Sequence, residues 1–142
     1  MSNETTFSLA NALVFPQWVL MIVAPRWRVT QWLVRTPLIP AVLAVLYATY
    51  LFTSTGGSLD FMSFATLKGV MTLFQTGGEQ VMLAGWIHYL AFDLVAGCYI
   101  LRDAQERGIA HGWLVPCLLF SFMLGPIGML LYMGVRVVGS GK

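Results

Sequence analysis

The chain has 142 residues, 58% of them hydrophobic and 10% charged, with a mean hydropathy of +0.75 and a net charge of +2. Soluble domains carry about 25% charged residues and roughly 45–50% apolar ones, so this composition excludes an ordinary water-soluble fold and makes lipid the solvent. A net charge this small, with no basic tract or acidic tail, also excludes nucleic acid as a partner.

A helix crossing the hydrocarbon core needs about 20 mostly apolar residues. The first such run is 7–24, from Phe7 to Ala24. It carries Asn11, Pro16 and Gln17, polar groups that must face other helices because lipid offers no hydrogen bonds. Pro16 should kink it. The N-terminal Met1-Ser2-Asn3-Glu4 has no positive charge and is followed by no small-residue cleavage site, so this run is expected to stay rather than be removed as a signal peptide. Arg26, Trp27, Arg28, Trp32 and Arg35, bracketed by Pro25 and Pro37, form a basic, aromatic loop at headgroup depth.

The second run is 38–54, Ala- and Leu-rich with Tyr47 and Tyr50. The stretch that follows is punctuated by Gly56-Gly57 and Gly77-Gly78. Between them apolar residues recur at helical spacing over 59–74, which predicts a short amphipathic helix lying at the interface, with a re-entrant segment as the alternative. The third run is 81–101, closed by the charged turn Arg102–Arg107 and Gly108. The fourth is 112–138, with Pro116 in its first turns and Gly125-Pro126 at mid-depth. The predicted fold is therefore all-α, a single-domain four-helix transmembrane bundle with one interfacial helix.

With four spans, Arg26, Arg28, Arg35, Arg102 and Arg107 share one side, and Lys68, Arg136 and Lys142 the other. Five against three puts both termini on the non-cytoplasmic side.

The chemistry-bearing stretch is Gly85-Trp86-Ile87-His88-Tyr89-Leu90-Ala91-Phe92-Asp93. Asp93 lies near the middle of the third run, where a carboxylate costs at least about 2.5–3.5 kcal/mol, so a partner or a function is expected. At 100° per residue, Trp86, Tyr89 and Gly97 fall within about 40° of Asp93, whereas His88 points about 140° away. Tyr89 can reach the carboxyl group, Gly97 opens space beside it for a neighbouring helix or a ligand, and Trp86 and Tyr89 suit stacking on a ring or polyene ligand. The competing reading is a protonated Asp93 bonded to Tyr89, Asn11 or Gln17. The Gly125-Pro126 step frees a carbonyl near residue 122 and lets a helix or flat ligand approach; packing alone is the plainer reading. Cys98 and Cys117 sit in apolar runs and read as small buried hydrophobes. The chain's two histidines, His88 and His111, are 23 positions apart and make no metal-ligand pair, and there is no phosphate loop or nucleophile elbow. Chemistry here is expected to be acid–base work without a cofactor, unless a bound cofactor supplies it unannounced.

The run from Gly85 to Asp93, then Arg102-Asp103, Gly108-Ile109-Ala110-His111, Pro116-Cys117 and Leu124-Gly125-Pro126-Ile127-Gly128 with Tyr132, resembles the ABA-deficient-four-like family of small four-span membrane proteins of plant plastids and bacteria. The plant member is required for neoxanthin formation. The resemblance implies a neoxanthin-synthase-like protein acting on a carotenoid (xanthophyll), an isomerase that opens an epoxide with an acid and a base. Carried onto this chain, the matching positions are His88, Asp93, Asp103 and His111, with the Gly125-Pro126 step. Asp93 would be the acid, Tyr89 or His88 a relay, and Trp86, Gly97, Gly125 and Pro126 the ligand groove. Without a plastid transit peptide the chain resembles a bacterial, inner-membrane member. The alternatives are a pigment-binding or assembly subunit without catalysis, as a homo-oligomer or in a larger membrane complex, and, with less support, a transporter.

Overall fold

The computed structural model describes residues 2–54 and 60–139. Gly56, Gly57, Leu59 and Lys142, which figure in the expectations above, lie outside the described residues. Among those described the chain is all-helical: α1 (Asn3–Val23), α2 (Arg28–Arg35), α3 (Leu38–Ser54), a short 3-10 turn (Phe61–Ala65), α4 (Leu67–Glu106), α5 (His111–Leu124) and α6 (Pro126–Gly139). α1 and α4 are long and apolar enough to cross a bilayer, and a third crossing results if α2 and α3, bent by 44° at Pro37, form one span.

α1 opens at Ser2, whose hydroxyl accepts from the Thr5 amide, and it runs unbroken through Pro16. Its buried residues Thr6, Ala10, Val14, Gln17, Trp18 and Met21 recur every three or four positions and so form one stripe facing the bundle. The outer faces are apolar: Phe15, Val45, Phe92 and Leu130 are 57%, 67%, 62% and 72% exposed, a surface that only lipid or another apolar body can cover.

α2 is tied to its neighbours by polar side chains. Thr30 donates to Ala24 O at 2.7 Å, and Gln31 to Pro25 O and Gln105 Oε1 at 2.6 and 2.9 Å. α3 lies along α4, and its far end meets the start of α1, where the Thr6 and Tyr50 hydroxyls are 2.6 Å apart.

The expected interfacial helix over 59–74 is differently divided. The 3-10 turn precedes it, and α4 begins at Leu67, where Thr66 caps it, and continues across Gly78 to Glu106. Gly78 (φ 56°, ψ −145°) is outside helical geometry, a conformation open to glycine. A straight helix would separate Phe74 from Gly85 by about 16 Å. Instead the Phe74 ring lies 3.4 Å from where a Gly85 side chain would begin, so the piece before Gly78 bends back toward the rest of α4. α4 ends in a Schellman turn: Gly108 (φ 68°) follows the last turn, and the Ile109 and Gly108 amides bond Ala104 O and Gln105 O.

The expected single span 112–138 is two 14-residue helices that reverse on each other. A straight helix would hold residues 117 and 128 about 16 Å apart. Here a Cβ on Gly128 would come within 2.5 Å of Cys117 O and overlap the Ser121 backbone, so the two helices touch backbone to backbone. At the other end of α6, Gly139 packs against Ile109, Tyr132 bonds Asp103, and Arg136 pairs with Asp103 at 3.2 Å. α5 therefore runs from the Arg102–His111 end of the bundle to the depth of Asp93, and α6 returns to the same end. The cause is Gly125, whose φ of 37° and ψ of −88° turn the chain before Pro126 starts the next helix.

Candidate functional site

Asp93 projects from α4 onto the α5–α6 reversal. It is buried, 8% exposed. Its Oδ1 lies where a Gly125 Cβ would stand, and its Oδ2 is buried without a hydrogen-bond partner among the described residues. Gly125 immediately precedes α6, so the carboxyl group lies by the positive end of a helix dipole, which favours negative charge there. One turn earlier on α4, Tyr89 donates to Met123 O at 3.0 Å. In an unbroken helix that carbonyl would accept from the amide of Ile127; the reversal orphans it, and Tyr89 fills the vacancy. The Ser121 hydroxyl, in the last turn of α5, is also buried without a partner among the described residues.

On its other side Tyr89 walls an open cleft of about 1060 Å³ between the N-terminal part of α1 and the bent start of α4. The wall is apolar and aromatic: Phe7, Phe74, Met82 and Trp86 join Tyr89. Trp86 stacks on Tyr89 (5.6 Å, 29°) and lies 5.6 Å from Phe7. Asn3, Glu4, Ser8 and Glu79 add polar groups, with Asn3 donating to Glu79 at 3.2 Å. Sequence reading missed Phe7, Phe74 and Met82, because nothing local reveals that α4 bends back at Gly78.

The structure thus brings Trp86, Tyr89, Asp93, Gly125 and Pro126 into one region. It does not bring the others there. His88 lies on a different face of α4, its ring 5.2 Å from Tyr47 and 4.7 Å from Phe92. The space at Gly97 is filled by Trp18, whose ring a Cβ would strike. Asn11 donates to its own helix at Phe7 O, and Gln17 to Leu33 O and Cys98 Sγ, so neither bonds Asp93. His111 Nε2 is 2.8 Å from Ile22 O at the far end of the bundle. Among the described residues no three His, Cys, Asp or Glu side chains group as metal ligands.

Asp103 anchors that far end. It lies beyond the apolar stretch of α4 that closes at Leu101. Its carboxylate takes the Tyr132 hydroxyl, Arg107 Nε at 2.8 Å and Arg136 Nε at 3.2 Å. Burial pushes its pKa up, but the Tyr132 hydroxyl and the Arg107 and Arg136 guanidiniums outweigh that and hold it below the ordinary carboxylate value.

The family description ABA DEFICIENT 4-like matches residues 5–132, nearly the whole chain. This chain belongs to the ABA DEFICIENT 4-like family. A relative, the chloroplastic protein ABA DEFICIENT 4 of Arabidopsis thaliana, is 28% identical over 142 residues. The match covers 95% of this chain and 62% of that relative, so the ABA DEFICIENT 4-like chain spans under two thirds of its relative's length. No solved structure matches it. The family match takes in the cleft residues from Phe7 onward, Asp93, the α5–α6 reversal and Tyr132.

Proposed function

We propose that this chain binds a carotenoid-class polyene in the cleft between α1 and α4 and isomerises it by acid–base chemistry without a cofactor. Family membership directs the reading to carotenoids. The observation that carries it is the position of Tyr89, whose ring is cleft wall beside Trp86 while its hydroxyl stands at the helix reversal that Asp93 touches. Opening an epoxide to an allene breaks one epoxide C–O bond and one polyene C–H bond and forms an O–H bond on the former epoxide oxygen. Proton lost and proton gained balance, so no oxidant or reductant is needed. Asp93 supplies the acid and Tyr89 the relay to the cleft. His88, turned toward Tyr47 and Phe92, is left out of that relay.

The test is expression in a carotenoid-producing host followed by pigment analysis. A changed xanthophyll profile that disappears in Asp93→Asn supports the reading. An unchanged profile across several xanthophylls counts against it, and full conversion by Asp93→Asn removes Asp93 from the mechanism. A second reading is a pigment-binding subunit without catalysis. It draws on Asp93 standing behind Tyr89 rather than on the cleft wall itself. Chemically unaltered pigment bound in stoichiometric amount to the purified protein would favour it.

For the membrane we propose three crossings, by α1, by α2 with α3, and by α4 after Gly78, with α5 and α6 as a re-entrant hairpin. Half-helix pairs at membrane depth are tolerated where protein covers them. Because α6 returns, Arg136 joins Arg26, Arg28, Arg35, Arg102 and Arg107 at one end of the bundle. The remaining described base is Lys68, in the first turn of α4. Six against one replaces the earlier five against three. On that count we propose the arginine end and α6's end on the cytoplasmic side and the start of α1 on the opposite side.

A further inference from the structure

We infer that the groove between the end of α2 and the end of α4 is a binding site for an anionic membrane phospholipid. Two adjoining cavities, about 420 and 370 Å³, share Arg35, Arg102 and Glu106 in their linings. The larger continues below the arginines onto Val34, Pro37, Pro40, Val95 and Tyr99. Charge sits above and apolar surface below, the order in which a lipid presents its phosphate and its acyl chain.

The charges are available for such a ligand. Arg35 and Arg102 are exposed and make no ion pair among the described residues. Asp103 also lines the groove, but its carboxylate is engaged by Tyr132, Arg107 and Arg136. Glu106 remains as an opposing charge, and it leaves the two arginines in excess. Gln31 and Gln105, locked to each other and to Pro25 O, hold α2 against α4 so that Arg35 and Arg102 face one space. Basic pockets between helices at headgroup level suit anionic lipid head groups. The apolar floor decides for a lipid over a free phosphate ion, which would use the arginines alone.

The test uses the purified full chain in a neutral detergent, with native mass spectrometry and the thermal midpoint as readouts. Phosphatidylglycerol is titrated against phosphatidylcholine and against inorganic phosphate. The expected result is retained phosphatidylglycerol and a raised midpoint, with little response to phosphatidylcholine. Arg35→Gln with Arg102→Gln should weaken phosphatidylglycerol binding about thirtyfold while leaving the midpoint without lipid unchanged. Arg28→Gln should leave the preference in place. The inference is overturned if the wild type binds both lipids equally, if inorganic phosphate gives the full shift, or if Arg28→Gln costs as much as the groove pair. A groove pair that keeps its preference would overturn it too. Pigment binding does not enter this readout, so the result stands apart from the proposed activity.

Discussion

Asp93 Oδ1 occupies the place where Gly125 would carry a side chain, so the buried carboxyl group and the helix reversal define each other. The reversal also has a positive φ, 37°, at that glycine. Gly125→Ala should therefore be destabilising on two counts, by about 1–3 kcal/mol. Denaturation of the purified protein measures it. In an Asp93→Ser background the penalty should shrink, because the collision is gone and the φ cost remains. Equal penalties in both backgrounds would separate the two residues.

Tyr89→Phe keeps the ring in the cleft and removes the donor to Met123 O. Leaving that carbonyl unpaired should cost about 1–3 kcal/mol. Pigment binding should persist because stacking with Trp86 is intact, while conversion falls if Tyr89 relays a proton. Unchanged stability would show that another group satisfies Met123.

Trp86→Ala opens the cleft without touching the reversal. We expect at least about a tenfold loss of polyene affinity, in keeping with removal of one large stacking surface, at little cost in folding, since Trp86 is 40% exposed. Gly97→Ala should do the reverse, with stability lost through collision with Trp18 and no direct effect on the ligand. Absorption titration and thermal melts read the two effects separately.

Orientation is open to labelling. With Cys98 and Cys117 replaced by alanine, a cysteine at Ser2 should react with an impermeant thiol reagent added outside cells, and one at Gly139 should not. Labelling of both from one side would restore a full fourth crossing in place of the hairpin.

Asp103→Asn should loosen the end of α6, lowering the thermal midpoint, because Tyr132, Arg107 and Arg136 lose their shared anionic acceptor and keep only a neutral amide oxygen. The pH dependence follows from the lowered pKa. The stabilisation is fully present above the unfolded value of 3.8 and is lost as pH falls through the lower folded value. The variant should be insensitive over that window, a difference that melts at stepped pH values would reveal.

Much of the candidate site's geometry was legible in the sequence because an α-helix has a fixed period. Trp86, Tyr89 and Asp93 share a face by arithmetic, His88 does not, and the structure keeps that division. The partners of that face were not legible. Asn11 and Gln17 were candidates for Asp93 on depth alone, yet each has nearer acceptors at Phe7 O, Leu33 O and Cys98 Sγ. The space at Gly97 reads as room for a neighbouring helix or a ligand, and it is a neighbouring helix that fills it, with Trp18. A missing side chain says that something comes close and not what.

By itself the sequence determined the apolar character, the helical class, the family and the face that bears Asp93, since composition and period act locally. Tertiary structure alone decided the reversal at Gly125. Glycine followed by proline fits a kink and a turn equally well in sequence. Only the approach of Gly128 to Ser121, and of Tyr132 and Arg136 to Asp103, selects the turn. The same choice gathers the arginines at one end and sets Asp93 against a helix terminus. Both are long-range consequences of one backbone angle that no residue window encodes.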